Sequence, residues 1–148
     1  TKPMKTHIFK TQLFHAKSIQ REIEVPDGFS LYKLAEAVIN AYGFDFDHAF
    51  GFFSTIGERY FDSDKKYELF ADMEDEGIEP TGAKSVKKTK VREVWKRAKD
   101  QMLFLFDYGD EWRFIVELKE MADLEKKNSK SAVLKCAGKA PDQYPEEE

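Results

Sequence analysis

Apolar and polar positions first alternate along this chain and then change period. Residues 6 to 14, THIFKTQLF, and 19 to 25, IQREIEV, predict strands; in the second, Ile19, Ile23 and Val25 alternate with Gln20, Glu22 and Glu24. Arg21 interrupts the apolar face, which places that end of the strand at the rim of the sheet. Pro26-Asp27-Gly28 supplies a turn, since proline fixes φ and glycine accepts positive φ. From Ser30 the period becomes helical: Leu31, Leu34, Ala35, Val38, Ile39 and Tyr42 fall on one stripe, Ser30 is placed to cap it and Gly43 to stop it. This helix, 30 to 42, is expected to cover a sheet. Residues 44 to 54, FDFDHAFGFFS, and 59 to 61, RYF, then read as a hairpin with Gly57 in its turn.

Charge reorganises the middle of the chain. Residues 62 to 79 carry eight acids against two lysines, and 84 to 99 carry eight basic residues against Glu93. Gly77, Pro80 and Gly82 mark the junction as loop, so 62 to 85 is expected to be a charged loop. In the basic segment Val91, Val94, Trp95 and Ala98 form an apolar stripe opposite Lys88, Arg92, Lys96 and Lys99, which predicts a second, shorter helix. LFLF and WRFIVEL, on either side of DYGDE, predict two antiparallel strands. Residues 119 to 131 are polar and helix-tolerant, and 133 to 148, ending in PDQYPEEE, are expected to form an irregular tail. The expected fold is α+β: a single domain over 1 to 148 with its folded body at 6 to 132. It has a largely antiparallel or mixed sheet of about five or six strands with two or three helices packed on it.

Composition narrows the function classes. The 148 residues suffice for one core, and thirteen Phe, six Tyr and two Trp make it a core of rings. A net charge of −4 argues against a surface wholly devoted to nucleic acid. Cys136 is the single cysteine, so no intramolecular disulfide and no cysteine cluster can form within one chain, which suits a reducing, cytoplasmic setting. The longest apolar run, MLFLF at 102 to 106, is far short of the roughly 20 residues that span a bilayer. No phosphate-cradling loop, dinucleotide fingerprint, HExxH or nucleophile elbow occurs. EF-hand spacings starting at Asp62 and Asp72 fail at their glycine or bidentate-Glu positions.

The chemistry concentrates at Phe106-Asp107-Tyr108-Gly109-Asp110-Glu111-Trp112. Asp107, Gly109 and Asp110 suit turn chemistry by themselves. Three carboxylates within five residues also repel one another unless positive charge compensates, from Arg113, from the basic helix, or from a hard divalent cation such as Mg²⁺ or Ca²⁺. No cofactor is otherwise evident and no metal ligand set is assigned. His48, with Asp45 and Asp47, is expected to neighbour the turn across the sheet and to add acid–base or ligating capacity. The lysines around Cys136 favour its thiolate, but without a histidine partner it reads as an inert thiol.

The motif and its order in the chain resemble the pRiA-type plasmid ORF-three-like family, whose members are associated with transposon passenger proteins. Glu24-Val25-Pro26-Asp27 matches the family's turn after the first strand pair. Tyr42-Gly43-Phe44 matches its helix end, His48 before Phe50 and Phe52 its histidine and aromatic strand, and residues 106 to 112 its most specific motif. The resemblance covers roughly 6 to 145 and implies an α+β fold and no established reaction. The family's cysteine- and glycine-rich C-terminal segment is kept only as Cys136-Ala137-Gly138, followed by Ala140-Pro141-Asp142-Gln143-Tyr144-Pro145. A recombinase is not supported, because the helix 30 to 42 runs into an aromatic strand instead of a second, recognition helix.

The leading expectation is a binding or interaction module, associated with mobile elements, that presents Asp107, Tyr108, Asp110, Glu111, Trp112 and His48 to a protein or small ligand. A metal-dependent or acid–base enzyme using the same residues is the alternative. A nucleic-acid accessory protein using Lys88, Arg92, Lys96 and Lys99 is the third. No membrane association is expected, and a homo-oligomer stays open.

Overall fold

In the computed structural model, residues 4 to 76, 82 to 124 and 131 to 144 are described. The alternating pattern at the start of the chain folds as β1, Met4–Leu13, and β2, Ala16–Pro26, an antiparallel hairpin in register at Phe9 and Ile23. Helix α1, Leu31–Ala41, starts where the Ser30 Oγ accepts the Lys33 N–H at 3.1 Å, and the chain leaves it through Gly43 at φ +72°. Then come β3, Phe50–Phe53; β4, Lys66–Glu68; β5, Lys84–Ser85; a single helical turn α2, Val91–Val94; β6, Gln101–Phe106; β7, Trp112–Leu124; and β8, Ala132–Ala137. The eight strands form one sheet in the order β5-β4-β3-β6-β7-β1-β2-β8, antiparallel except between β4 and β5.

One face of this sheet carries the main core. Phe9, Phe50, Phe52, Phe104, Phe106 and Phe114 meet Leu31, Leu34 and Val38 of α1, all fully buried. Their rings are offset or edge-on, Phe52 and Phe104 at 4.7 Å and Phe104 and Phe114 at 5.6 Å between centroids. Each such side chain contributes about 1.5–3 kcal/mol by leaving water. On the opposite face a smaller cluster of Phe53, Leu103 and Leu105 is covered by Phe14, Ile56, Tyr60 and Tyr108. Strands β3 and β6 are therefore buried on both faces, which explains why FGFF and MLFLF are continuous apolar runs.

The architecture is the expected α+β domain, with a larger sheet: eight strands and two α-helices among the described residues instead of about five or six strands and two or three helices. The partner of β3 is Lys66–Glu68, not 59 to 61; Tyr60–Asp62 is a tight 3-10 turn that sends Tyr60 against Phe53 at 4.9 Å. The charged stretch 62 to 85 is thus partly ordered, and its Asp72 accepts the Val86 N–H at 3.1 Å. Its residues 77 to 81 lie outside the described residues.

The basic helix stops after one turn because Trp95 turns into the core between Phe9 and Phe52, its Nε1–H donating to Val116 O at 3.1 Å. Burying an indole outweighs a few more residues of polar helix. Residues 119 to 124 extend β7 because the first half of β1 needs a partner, so Met4 pairs with Leu124 and His7 with Met121. Of 119 to 131, residues 125 to 130 lie outside the described residues.

The segment expected to be an irregular tail begins as strand β8, paired with β2. Arg21 explains its position. Far from marking a rim, it is buried, and its guanidinium donates to Ala41 O, Gln20 O, Ala137 O and Gly138 O at 2.7–3.1 Å. It lies over the Tyr42 ring at 5.0 Å. One side chain therefore joins the end of α1 to the end of β8.

Candidate functional site

The turn between β6 and β7 takes its shape from Asp107, not from its glycine. Asp107 adopts φ +67° and Glu111 φ +52°, the left-handed region that aspartate tolerates better than most side chains, whereas Gly109 has no such need. Asp107 Oδ1 accepts the N–H groups of Gly109 at 3.0 Å and Asp110 at 3.3 Å. Its own N–H donates to Ala49 O at 2.9 Å, and its carbonyl accepts the Glu111 N–H at 2.6 Å. A Cβ at position 109 would meet Asp107 Oδ1 at 3.3 Å, so the glycine gives the carboxylate room to cap the turn.

The second oxygen of Asp107 faces His48, Oδ2 to Nε2 at 3.4 Å, and the imidazole stands edge-on to Phe106. The sequence-based expectation that His48 neighbours the turn is met geometrically for this one carboxylate. His48 Nε2 also lies 2.5 Å from Tyr144 Oη and 3.6 Å from Asp47 Oδ1. Tyr144 has one proton and donates it to Asp47 Oδ2 at 2.9 Å, so the imidazole Nε2 is the protonated nitrogen and the tyrosine oxygen its acceptor. Local desolvation of the hydroxyl, then the Asp47 carboxylate, push the half-exposed Tyr144 up to about 12. Gln143 adds a second clasp: its Oε1 accepts the Asp45 N–H at 2.7 Å and its Nε2 donates to Asp45 O at 3.1 Å. The chain after β8 is thereby strapped across residues 45 to 48.

The other members of the motif diverge. Tyr108 crosses to the opposite face of the sheet and donates to Glu68 Oε1 at 2.7 Å; burial, then Glu68, raises its pKa. Glu111 accepts from Tyr60 Oη at 3.1 Å and from Arg113 Nη2 at 3.4 Å. Arg113 also meets Glu58 at 2.9 Å, which raises the guanidinium and lowers the Glu58 carboxyl. Compensation for Glu111 thus comes from Arg113. Asp110 stands exposed, with no side-chain partner among the described residues. The three carboxylates do not share one centre. Among the described residues no group of three or more His, Cys, Asp or Glu side chains is arranged to hold a metal ion.

Trp112 returns to the main-core side, edge-on to Phe44 at 4.9 Å, and lines a cleft of about 430 Å³. Leu13 and Ile19 from the two sides of the β1–β2 hairpin and Pro141 from the strap complete its apolar lining, with Asp110, Gln143 and Arg113 around it. The indole Nε1–H and the Arg113 Nε–H are buried without an acceptor among the described residues. Buried donors left unpaired cost about 1–3 kcal/mol each and are uncommon in folded proteins. Leu13, Ile19, Pro141, Gln143 and Tyr144 were not among the sequence candidates. They are separated from the turn by up to a hundred residues, and only the Gln-Tyr pair set between two prolines stands out within a polar tail.

The basic residues Lys88, Arg92, Lys96 and Lys99 are all exposed, but they do not share a helical face. Beyond Val94 the backbone is extended at Trp95 and left-handed at Lys99, φ +78°. Arg92 lies 3.8 Å from Asp27, and Trp95 is enclosed in the core, unable to stack on a base. Cys136 is exposed on β8. No helix among the described residues is long and apolar enough to cross a membrane.

Comparison with known proteins agrees with this picture of fold and motif. The crystal structure of a protein of unknown function, MM3350 from Methanosarcina mazei Go1, is similar with a TM-score of 0.72 at 17% identity, covering 95% of this chain and 73% of that one. At that identity the likeness is one of fold. No curated protein matches the chain. The model of the plasmid pRiA4b ORF-3-like proteins matches residues 7–146, which take in the first strand pair, His48, the acidic turn and the strap, and the chain belongs to that family.

Proposed function

We propose that the protein is a small binding module whose ligand sits in the cleft beside the acidic turn. The observation that carries this reading is the make-up of the cleft: an apolar lining of Leu13, Ile19, Trp112 and Pro141, with a few polar groups around it. Small-ligand sites have this composition and volumes of about 300–1,000 Å³. Asp107 fixes the turn from within, so Asp110 and Trp112 are presented by a preorganised support. Of the residues expected to form an interaction surface, Asp110, Glu111 and Trp112 border the cleft, while His48 and Asp107 hold the strap that forms its wall. A cytoplasmic setting is supported by the lone cysteine, and an association with mobile elements by the plasmid reading frame in the family's name.

The alternatives have less support. As an acid–base pair, His48 and Asp107 are engaged with Tyr144 and the turn amides. As a nucleic-acid face, the basic segment lacks a continuous helix and an accessible ring. The binding reading is tested with a panel of small aromatic fragments, up to about 12 non-hydrogen atoms each. They are added at about 1 mM to isotope-labelled protein while amide and indole resonances are followed. Shifts should gather at residues 13 to 19, 110 to 113 and 141 to 143. A panel that leaves all of these unmoved defeats the reading.

A further inference from the structure

Charge around the cleft is unbalanced in a way that selects among ligands. Arg113 is the permanent cation at its border, and it is already answered by two carboxylates, Glu58 at 2.9 Å and Glu111 at 3.4 Å. His15 packs edge-on against Phe14 at 4.9 Å. Asp110 has no hydrogen-bonding or ionic partner for its side chain among the described residues, and it borders the same cavity as Leu13, Ile19, Trp112 and Pro141. The uncompensated charge at the cleft is therefore negative, beside an apolar lining.

We propose that the ligand is a small organic cation, a protonated amine or guanidinium on an apolar or aromatic stem, with its stem in the cleft and its charge at Asp110. This rests on the reading of the cleft as a ligand site and adds the class of ligand. An anionic ligand would face Asp110 and Glu111 together, and a neutral one would leave Asp110 unanswered. A free small molecule fits better than a side chain of a partner protein. The large apolar side chains exposed among the described residues are Phe61, Met121, Val133, Leu134 and Tyr144, and none lines the cleft. A protein interface centred there would lack the apolar surround that such contacts use.

Three probes with one stem separate the possibilities: 2-phenylethylamine, 2-phenylethanol and 3-phenylpropanoate. Each is titrated into the full chain at about pH 8, where an ordinary imidazole is neutral. The Trp112 indole resonance is followed, assigned by Trp112→Phe. At about 0.02 M salt the amine should bind about fivefold more tightly than the alcohol, and the propanoate most weakly. The preference should collapse at about 0.5 M salt. Asp110→Asn should bring the amine to the affinity of the alcohol and leave the alcohol unchanged; Asp110 is exposed and its side chain makes no hydrogen bond or ion pair among the described residues, so the variant should fold.

Equal affinity of amine and alcohol, tightest binding of the propanoate, or an amine preference that survives Asp110→Asn overturns the assignment while leaving the cleft a ligand site. If none of the three binds but the fragment panel does, the ligand class again falls alone. If the panel also fails, both readings fall.

Discussion

His48 and Asp107 face each other at 3.4 Å, Nε2 to Oδ2, and the aspartate is held in that position by its own turn. Its other oxygen caps two amides, and its backbone sits at φ +67°. One residue thus does three things, and substitutions separate them. Alanine loses the cap and pays the left-handed strain, so Asp107→Ala should lower unfolding free energy by about 2–3 kcal/mol. Asparagine keeps an acceptor oxygen and tolerates the same backbone, so Asp107→Asn should cost less than about 1 kcal/mol. Urea unfolding of the two variants is the measurement, and an alanine variant as stable as the wild type would show that the turn does not depend on this side chain.

Arg21 concerns the other end of the strap. Its guanidinium reaches Ala41 O, Ala137 O and Gly138 O together, at 3.0–3.1 Å. A lysine has one nitrogen on a flexible stem and cannot bridge three carbonyls in different elements. Arg21→Lys should therefore destabilise the protein by about 2–3 kcal/mol, because the buried guanidinium's charged hydrogen bonds to the ends of α1 and β8 are lost. The local signature matters more than the total: amides of β8 should exchange with solvent faster than those of β6 and β7. Uniform acceleration across the sheet would mean that Arg21 supports the core as a whole and not β8 in particular.

How much of this was legible beforehand depends on whether the governing interaction was local. The α1 stripe from Leu31 to Tyr42, its Ser30 cap and the period-two alternation of β2 are local patterns, and the structure follows them. The fate of Trp95 was not local. Its apolar stripe fits a helix, and only the site between Phe9 and Phe52 decides that the helix ends there. Arg21 reads as a rim residue until carbonyls 20 and 116 residues away are seen to converge on it. The crowding of Asp107, Asp110 and Glu111 marked a tight turn but not its partners. Left-handed backbone at Asp107 and Glu111 turns their carboxylates in different directions, and Glu111 finds Arg113 where a shared centre was expected. The cleft was invisible because its walls come from 13 to 19, 110 to 113 and 141 to 143, joined only by the fold.

The strap should respond to alkaline pH through Tyr144. Its hydroxyl, near 10 when unperturbed, is raised to about 12 by local desolvation and by donation to Asp47. A raised pKa means that the folded state favours the protonated form. The stabilisation from Tyr144 is therefore fully present below about pH 10 and is lost as pH rises through about 12. Subtracting the phenolate absorbance of Tyr144→Phe from that of the wild type isolates this group from the other tyrosines. The difference should rise with a midpoint near 12. Asp47→Asn removes the acceptor charge and should move that midpoint down toward 10, while the local desolvation keeps it from returning fully. Over the same range the Asp45 amide, which donates to Gln143 Oε1, should lose protection before those of β7, because the strap is held by side chains and β7 by ladders to β1 and, over residues 112 to 117, to β6. A wild-type midpoint near 10, indifferent to Asp47→Asn, would mean that the Tyr144–Asp47 contact does not persist in solution and that the cleft lacks a fixed wall.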